Sequence, residues 1–408
     1  MKSGLLGRKL GHSYSPQIHE YLGSYSYDLF EKEPGEIESF LKNGDFTGIN
    51  VTIPYKKDVI PFLDEISPLA TRMGAVNTIV RRSDGSLFGH NTDYFGFSSM
   101  VSRSGISVAG KKVLVLGSGG ASNTAVKVLE DMGAKVIIIS RTGFNNYTNL
   151  HLHQDASVIV NTTPVGMYPN TGISLVDLKA FPRLEGVLDL IYNPARTQFL
   201  MDSEAMGLPH ENGLWMLVAQ AKEAAEYFGG TPIPDAMIET VYRNMSSKMQ
   251  NIVLIGMPGC GKSTIAAILA QKLGRTSVDA DVEIEKLAGK SIPEIFSEDG
   301  EDTFRNKETQ VLAELGKRSQ LIIATGGGCV TRQRNYHLLH QNSCIFWLKR
   351  NLDLLPIDGR PLSQSTHLQE MFAIRQPLYE SFADHVIDNN GSFEQTVDQI
   401  ISILGGSV

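Results

Sequence analysis

The sequence predicts an α/β chain built on parallel sheets, and three observations carry that prediction. Short apolar runs alternate with helical stretches from Asp45 to Val80 and again from Lys111 to Leu190, the rhythm of strand, helix, strand. Two glycine-rich loops, Gly117-Ser-Gly-Gly-Ala-Ser122 and Gly256-Met-Pro-Gly-Cys-Gly-Lys-Ser263, each follow an apolar strand-like run. At 408 residues the chain exceeds what one hydrophobic core usually serves, so two or three domains are expected.

Lys111–Leu116 reads as a strand ending at the first glycine loop, Ala121–Met132 as the following helix, Gly133 as its stop, and Lys135–Ile139 as the next strand. Together they complete a strand-helix-strand unit. Gly213–Phe228 has helical composition, Gly229 to Pro234 punctuates it, and a last short helix is expected near Ala236–Tyr242. The polar run 246–251 reads as a linker, after which Ile252–Ile255 opens a second nucleotide fold. The segment before about Val101 has strands of its own, and a substrate is expected between this lobe and the next. The domain reading is therefore 1–100 as a substrate lobe completed by 213–245, 101–245 as a Rossmann-like dinucleotide lobe, and 252–408 as a P-loop α/β/α domain with a central parallel sheet.

A net charge of −7 argues against a dedicated nucleic-acid binder and for small-molecule work. Cys260, Cys329 and Cys344 are odd in number and lack close pairing, which suits neither a disulfide framework nor a zinc site. The N-terminal residues hold no apolar run long enough for a signal peptide or a membrane span. A cytoplasmic protein with no membrane or nucleic-acid partner is expected.

In the first loop, Gly117, Gly119 and Gly120 allow a tight turn, and the helix from Ala121 aims its free N–H groups at a pyrophosphate. The following strand ends Ser140-Arg141-Thr142, offering a guanidinium where a carboxylate would select a free ribose hydroxyl. That favours NADP(H) over NAD(H).

Gly11 to Pro16, Asn50-Val-Thr-Ile-Pro-Tyr-Lys56, Gly74 to Thr78 and Asn91-Thr-Asp93 form further clusters, followed by Asn161 to Met167, Asp189 to Pro194 and Gly213 to Gln220. In this order they resemble the shikimate dehydrogenase family over nearly all of residues 1–245. The resemblance implies a ketone reduction in which Lys56 and Asp93 form the catalytic pair. It further implies a substrate carboxylate on Ser13 and Ser15, substrate hydroxyls met by Thr52, Asn77 and Gln220, and Gly213 beside the cofactor. A lysine ammonium oriented by a carboxylate suits a developing alkoxide. Two departures stand out: Asn145 occupies the place of the family's second base, and 145–157 is shorter than the family's usual helix and strand.

The second loop fits G-x-x-x-x-G-K-[ST] in full. Backbone N–H groups at Gly256, Gly259 and Gly261 are expected to wrap phosphates, with Lys262 on the β- and γ-phosphates and Ser263 and Thr264 beginning the helix. The Ser263 hydroxyl can join a Mg²⁺ shell. Motion, switching and phosphoryl transfer remain open on this loop alone, but about 160 residues after Asn251 suffice only for one compact domain. Asp279-Ala-Asp281, Phe304-Arg305, Gly326-Gly-Gly328, Arg360-Pro-Leu362 and Arg375 to Tyr379 resemble shikimate kinase over residues 251–390. That resemblance implies Asp281 at the acceptor hydroxyl, Asp279 supporting the metal, Arg305 and Arg375 clamping the acceptor carboxylate, and Arg360 closing over the phosphates. Gly326, Gly327 and Gly328 would admit the acceptor to the backbone. The family's adenine-facing arginine has no counterpart here, Asp353 or Leu354 standing near its place.

The expectation is a bifunctional enzyme that reduces 3-dehydroshikimate with NADPH and phosphorylates the resulting shikimate with ATP and Mg²⁺. Two rivals are a quinate/shikimate dehydrogenase joined to a kinase for another acceptor, and a non-catalytic nucleotide-binding regulator.

Overall fold

A computed structural model describes residues 2–11, 13–355 and 365–405; Arg360 and the rest of its motif lie outside them. The chain divides into two compact units. One comprises Met1–Val165, Ser174–Tyr192 and Asp202–Met245, the other Gly166–Ile173, Asn193–Met201 and Ser246–Val408.

The first unit holds two sheets. Its six-stranded sheet runs in the order Ser26–Glu31, Lys2–Gly7, Gly48–Val51, Thr78–Arg81, Leu87–His90, Glu65–Ile66. Thr78–Arg81 is antiparallel to both neighbours, and the other pairings are parallel. Leu6, Ile49, Tyr55 and Ile79 are fully buried and form its core.

The five-stranded sheet is wholly parallel, ordered His210–Glu211, Gly186–Asp189, Val158–Asn161, Lys112–Leu116, Lys135–Ile139. Its central strands bury Val113 to Leu116 and Val158 to Val160 completely, as a parallel sheet covered on both faces requires. Lys112–Leu116 lies where the strand order reverses, so the loop after it opens at the switch point that suits a ligand. Only the short turn Leu150–His153 precedes Val158–Asn161. The edge strand thus lacks full cover, and Ile138 is 40% exposed.

Two helices from distant parts of the sequence pack closely in this unit. A Cβ on Gly96, in helix Asp93–Ser104, would lie 2.7 Å from the Met216 carbonyl and 2.9 Å from the Gln220 Cβ, both in helix Leu214–Gly229. The absence of that carbon lets the two helices meet and brings Asp93 and Gln220 to the same cleft.

The second unit is a five-stranded parallel sheet ordered Thr276–Asp279, Leu321–Ala324, Asn251–Ile255, Ser343–Lys349, His385–Asp388. The middle strand is entirely buried and ends at the second glycine loop. Trp347 and Tyr379 stack at 5.8 Å in the core.

The expected linker 246–251 is not a loose connector. The helix that begins at Ala236 runs on to Met249, and a strand begins at Asn251. Met245 and Met249, one helical turn apart, are both buried, and that apolar spacing outweighs the polar residues between them. Asn251 is tied in by its side chain, which donates to the Arg318 carbonyl at 2.8 Å and accepts from the Leu321 N–H at 2.9 Å. Among the described residues, no helix is long and apolar enough to cross a membrane.

At the end of helix Gly300–Gly316, a Cβ on Gly316 would sit 1.9 Å from the Leu338 carbonyl oxygen. Gly316→Ala is therefore expected to force backbone apart and to destabilise the second unit by about 1–3 kcal/mol. Scanning calorimetry of the whole protein should show one transition lowered by several degrees, and an unchanged profile would contradict this packing.

Candidate active sites

The first cleft, of about 270 Å³, is lined by Ser13, Ser15, Thr52, Lys56, Asn77, Asp93 and Gln220 among others. Every substrate-facing residue expected from the sequence in this half thus meets in one cavity. At its centre the Lys56 Nζ lies 2.6 Å from Asp93 Oδ2, with the side chains 30% and 13% exposed. Asn77 Nδ2 donates to the other oxygen, Asp93 Oδ1, at 2.9 Å, and the Thr92 N–H donates to Asn77 Oδ1 at 2.7 Å. Both carboxylate oxygens are thereby engaged and the ammonium is aimed.

Ser13 Oγ accepts from the Ser15 N–H at 3.2 Å, where helix Ser15–Leu22 begins. Gln220 Nε2 donates to the Leu217 carbonyl at 2.8 Å. Sequence reasoning assigned no role to Asn50, which also lines the cleft and accepts from the Tyr27 hydroxyl at 2.8 Å. Tyr27 in turn stacks on His19 at 4.0 Å. Burial pushes the His19 imidazole down to about 3, so this ring is neutral at physiological pH. The Tyr27 hydroxyl is pushed up by its own burial. A neutral aromatic shelf therefore backs the hydroxyl-lined side of the cleft. Tyr192, another lining residue, lay inside a recognised motif without being singled out.

The first glycine loop divides into two kinds of position. Gly117 has φ +114°, and a Cβ there would lie 2.7 Å from Thr162 Oγ1, so the fold itself demands glycine. Around Gly119 and Gly120 a Cβ would meet nothing within 4 Å, and neither has positive φ. Their open space leaves room for a ligand to approach the backbone. Gly119 caps helix Gly120–Asp131 without a side-chain bond, which leaves the first N–H groups available, and Ala121 lines the cleft. Ser140, Arg141 and Thr142 follow strand Lys135–Ile139; Arg141 is exposed and has no ion-pair partner among the described residues. A Cβ on Gly213 would lie 2.0 Å from the Leu190 carbonyl oxygen, so that glycine is needed for packing as well as for lining the cleft.

In the second unit Gly256, Gly259 and Gly261 all have positive φ, at +146°, +84° and +93°. Lys262 Nζ lies back across this loop, donating to the Gly256 and Met257 carbonyls at 3.0 and 3.1 Å. Ser263 and Thr264 are exposed on the helix it opens. Ser263 Oγ donates to Asp279 Oδ2 at 2.5 Å, and Asp279 caps the next helix by accepting from the Asp281 N–H at 3.0 Å. Hydroxyl and carboxylate are thus paired at the loop's edge. Among the described residues, no three His, Cys, Asp or Glu side chains cluster as a metal cage.

The residues expected at the acceptor converge on Gly326 to Gly328. A Cβ on Gly326 would lie 2.7 Å from Asp281 Oδ1 and 3.1 Å from Glu308 Oε1; one on Gly328 would lie 2.2 Å from Arg305 Nη2; one on Gly327 would meet Pro258 at 2.6 Å. Asp281 Oδ1 is buried and has no hydrogen-bond partner among the described residues. Its carboxyl is raised above the usual range, first by burial and then by the charge of Asp279. Arg375 Nη1 donates to the Gly327 carbonyl at 3.2 Å, and the Tyr379 hydroxyl donates to the same oxygen. Glu308, missed in the sequence, is fully buried and receives both its bonds from Arg305 Nη1, at 2.9 and 3.1 Å. Its spacing of three residues from Arg305 on one helix was the available signal, but that spacing equally describes an ordinary surface pair.

These geometries are those of a dehydrogenase with a lysine-carboxylate pair and of a P-loop kinase. Family models match on both sides: the shikimate dehydrogenase substrate-binding domain over residues 5–79 and shikimate kinase over residues 258–405. A shikimate dehydrogenase (NADP(+)) of Clostridium perfringens strain SM101 is 38% identical over 267 residues, covering 60% of this chain and 98% of that protein. Among solved structures, shikimate dehydrogenase 1 from Peptoclostridium difficile is 39% identical with a TM-score of 0.55, covering 60% of this chain and 97% of that one. A chorismate mutase/shikimate 5-dehydrogenase fusion protein from Clostridium acetobutylicum is 35% identical with a TM-score of 0.57, over 60% and 97%. The chain belongs to the shikimate dehydrogenase family and carries a shikimate kinase domain after it.

The two kinds of glycine make separable predictions. Gly119→Ala and Gly120→Ala are expected to leave thermal stability unchanged while weakening dinucleotide binding by about tenfold or more, ~1.4 kcal/mol. Gly117→Ala is expected to lower stability itself, through its left-handed backbone and the clash with Thr162. Calorimetry with and without dinucleotide reads both effects.

Proposed function

We propose that the first half reduces 3-dehydroshikimate to shikimate with NADPH and that the second phosphorylates the 3-hydroxyl so created, using ATP with Mg²⁺. The observation that carries the reading is the Lys56–Asp93 pair at 2.6 Å in a cleft of hydroxyl and amide groups. In the lobe assignment we favour, 1–100 with 213–245 holds the substrate and 101–245 holds the dinucleotide, with 252–408 as the kinase.

The residues present fit an NADP(H) cofactor: Gly119 and Gly120 are open to a pyrophosphate, and Arg141 at the strand end has no ion-pair partner among the described residues. When bound, the dinucleotide supplies the hydride. Lys56 then gives its proton to the ketone oxygen as that oxygen takes up charge, and regains one from water. Asp93 orients the ammonium beforehand, and Asn77 holds Asp93 in line. Ser13 and Ser15 take the ring carboxylate, and Thr52, Asn77 and Gln220 take its hydroxyls.

On the kinase side Asp281 is suited to accept the acceptor's hydroxyl proton, because its buried Oδ1 has no other partner among the described residues. Arg305 and Arg375 take the carboxylate, a task matched to guanidinium forks. Among the described residues Lys262 has two loop carbonyls and, at 3.9 Å, the Cys260 sulfur to leave when phosphates arrive. Ser263 and Asp279 fit a Mg²⁺ that draws most of its ligands from water and phosphate. The closing role expected for Arg360 rests on the family resemblance.

A quinate-directed dehydrogenase is the rival reading; Arg141 in place of an acidic residue at the cofactor strand favours NADP(H) over the NAD(H) with which that rival would be tested. The deciding experiment is one reaction of purified protein with 3-dehydroshikimate, NADPH, ATP and Mg²⁺, following NADPH absorbance and detecting the product by mass. Cofactor oxidation proceeding to a shikimate phosphate is the expected result. Oxidation without an ester would refute the kinase assignment, and preference for quinate with NAD would favour the rival. Lys56→Met is expected to lower kcat by about 10²-fold or more with little change in dinucleotide binding.

The pH dependence follows from Asp281. Its raised carboxyl must be ionised to accept a proton, so kinase turnover is expected to fail on acidification above the ordinary carboxylate range. A pH–rate profile with its acid limb near or below 4, about where an unperturbed aspartate titrates, would contradict the raised carboxyl of Asp281.

A further inference from the structure

Arg305 is held by two carboxylates on different sides of its guanidinium. On one side its Nη1 is held by the fully buried Glu308 at 2.9 and 3.1 Å. On the other, Nε and Nη2 each lie 3.3 Å from a single oxygen, Oε1 of Glu301. The second pairing is of a different kind, because the bonds are longer and the Glu301 side chain is 65% exposed against 1% for Glu308. The Nε–Nη2 edge can grip a carboxylate with two parallel bonds. An acceptor carboxylate that takes this edge needs the place Glu301 holds.

Glu301 is not required to keep the guanidinium where it is. Glu308 anchors Nη1 from within, and Gly328 lies against the face of the guanidinium, where a Cβ would stand 2.2, 2.5 and 2.6 Å from Nη2, Nη1 and Cζ. The cation is fixed without Glu301. Glu301 itself sits in the first turn of helix Gly300–Gly316, beside an open cavity lined by Asp299, Glu301, Arg305 and Arg332. Its carboxylate can turn into that solvent and still face the positive end of its own helix. Asp299 and Asp302 are engaged elsewhere, on Lys290 and Arg332 at 3.1 and 3.0 Å. Glu301 alone of these three acids occupies the clamp.

We infer that Glu301 is a built-in stand-in for the acceptor's carboxylate: it fills the gripping edge of Arg305 between turnovers, yields to the acceptor, and returns to displace the phosphorylated product. Glu301 thereby sets how tightly a carboxylate-bearing acceptor is held. This rests on the reading of Arg305 as the acceptor clamp.

The test is kinase turnover of the full chain, followed as ADP release at saturating Mg-ATP, with shikimate and with its carboxamide as acceptors. Turnover is the readout because the dehydrogenase half also takes shikimate. Glu301→Gln is expected to lower KM for shikimate by about two- to fivefold, the range that an exposed ion pair allows, and to leave KM for the carboxamide unchanged. Asp299→Asn, which removes a charge from the same cavity without touching Arg305, is expected to change neither. A KM for shikimate that rises in Glu301→Gln, an equal shift for both acceptors, or the same fall in Asp299→Asn would overturn the inference. Arg305→Met separates the two readings. If it leaves the shikimate-to-carboxamide preference intact, the clamp reading fails and the inference with it. If it abolishes that preference while Glu301→Gln has no effect, only the stand-in is refuted.

Discussion

Both nucleotide loops depend on one steric constraint: the chain must leave a central parallel strand so sharply that no side chain fits at the first turn residue. At Gly117 the obstruction is Thr162 Oγ1, at 2.7 Å from a notional Cβ; at Gly256 it is the Leu348 carbonyl, at 2.8 Å. In each case the obstructing atom follows or belongs to the neighbouring parallel strand. The sheet therefore forces glycine, and glycine turns the following helix N-terminus toward the strand ends, where its N–H groups are available to anions. Everything else in the two sites is arranged around those two exits.

The sites differ in how they hold charge. In the dehydrogenase half the Lys56–Asp93 pair is partly open to solvent and its geometry comes from neutral partners, Asn77 and Thr92. In the kinase half the charges are buried, with Arg305 and Glu308 both nearly inaccessible, and Asp281 raised by the same desolvation. The contrast suits the proposed roles, since a proton donor to a ketone benefits from easy exchange with water and a proton acceptor beside phosphate from water being kept out.

Much of this was legible because the motifs carry chemistry at fixed spacing. Ser13, Ser15, Thr52, Lys56, Asn77, Asp93 and Gln220 come from five separate stretches of sequence, and they meet in one cleft. What stayed hidden was of two kinds. Glu308 reads as a surface residue because its burial depends on how Gly326 and Arg305 stack against it, which no helical period records. The helix through 246–249 was hidden by its polar residues, since Met245 and Met249 supply only two apolar positions and their burial is tertiary. Local pattern identifies who carries the chemistry, while depth decides how strongly each group is held.

Gly326 occupies a position where Asp281 and Glu308 converge, a notional Cβ there standing 2.7 Å from one carboxylate and 3.1 Å from the other. A single added carbon would press on both together. Under the roles proposed above, the proton acceptor and the anchor of the arginine clamp therefore have no independent adjustment at this point. The backbone at Gly326 is in this sense the fixed jaw of the proposed site.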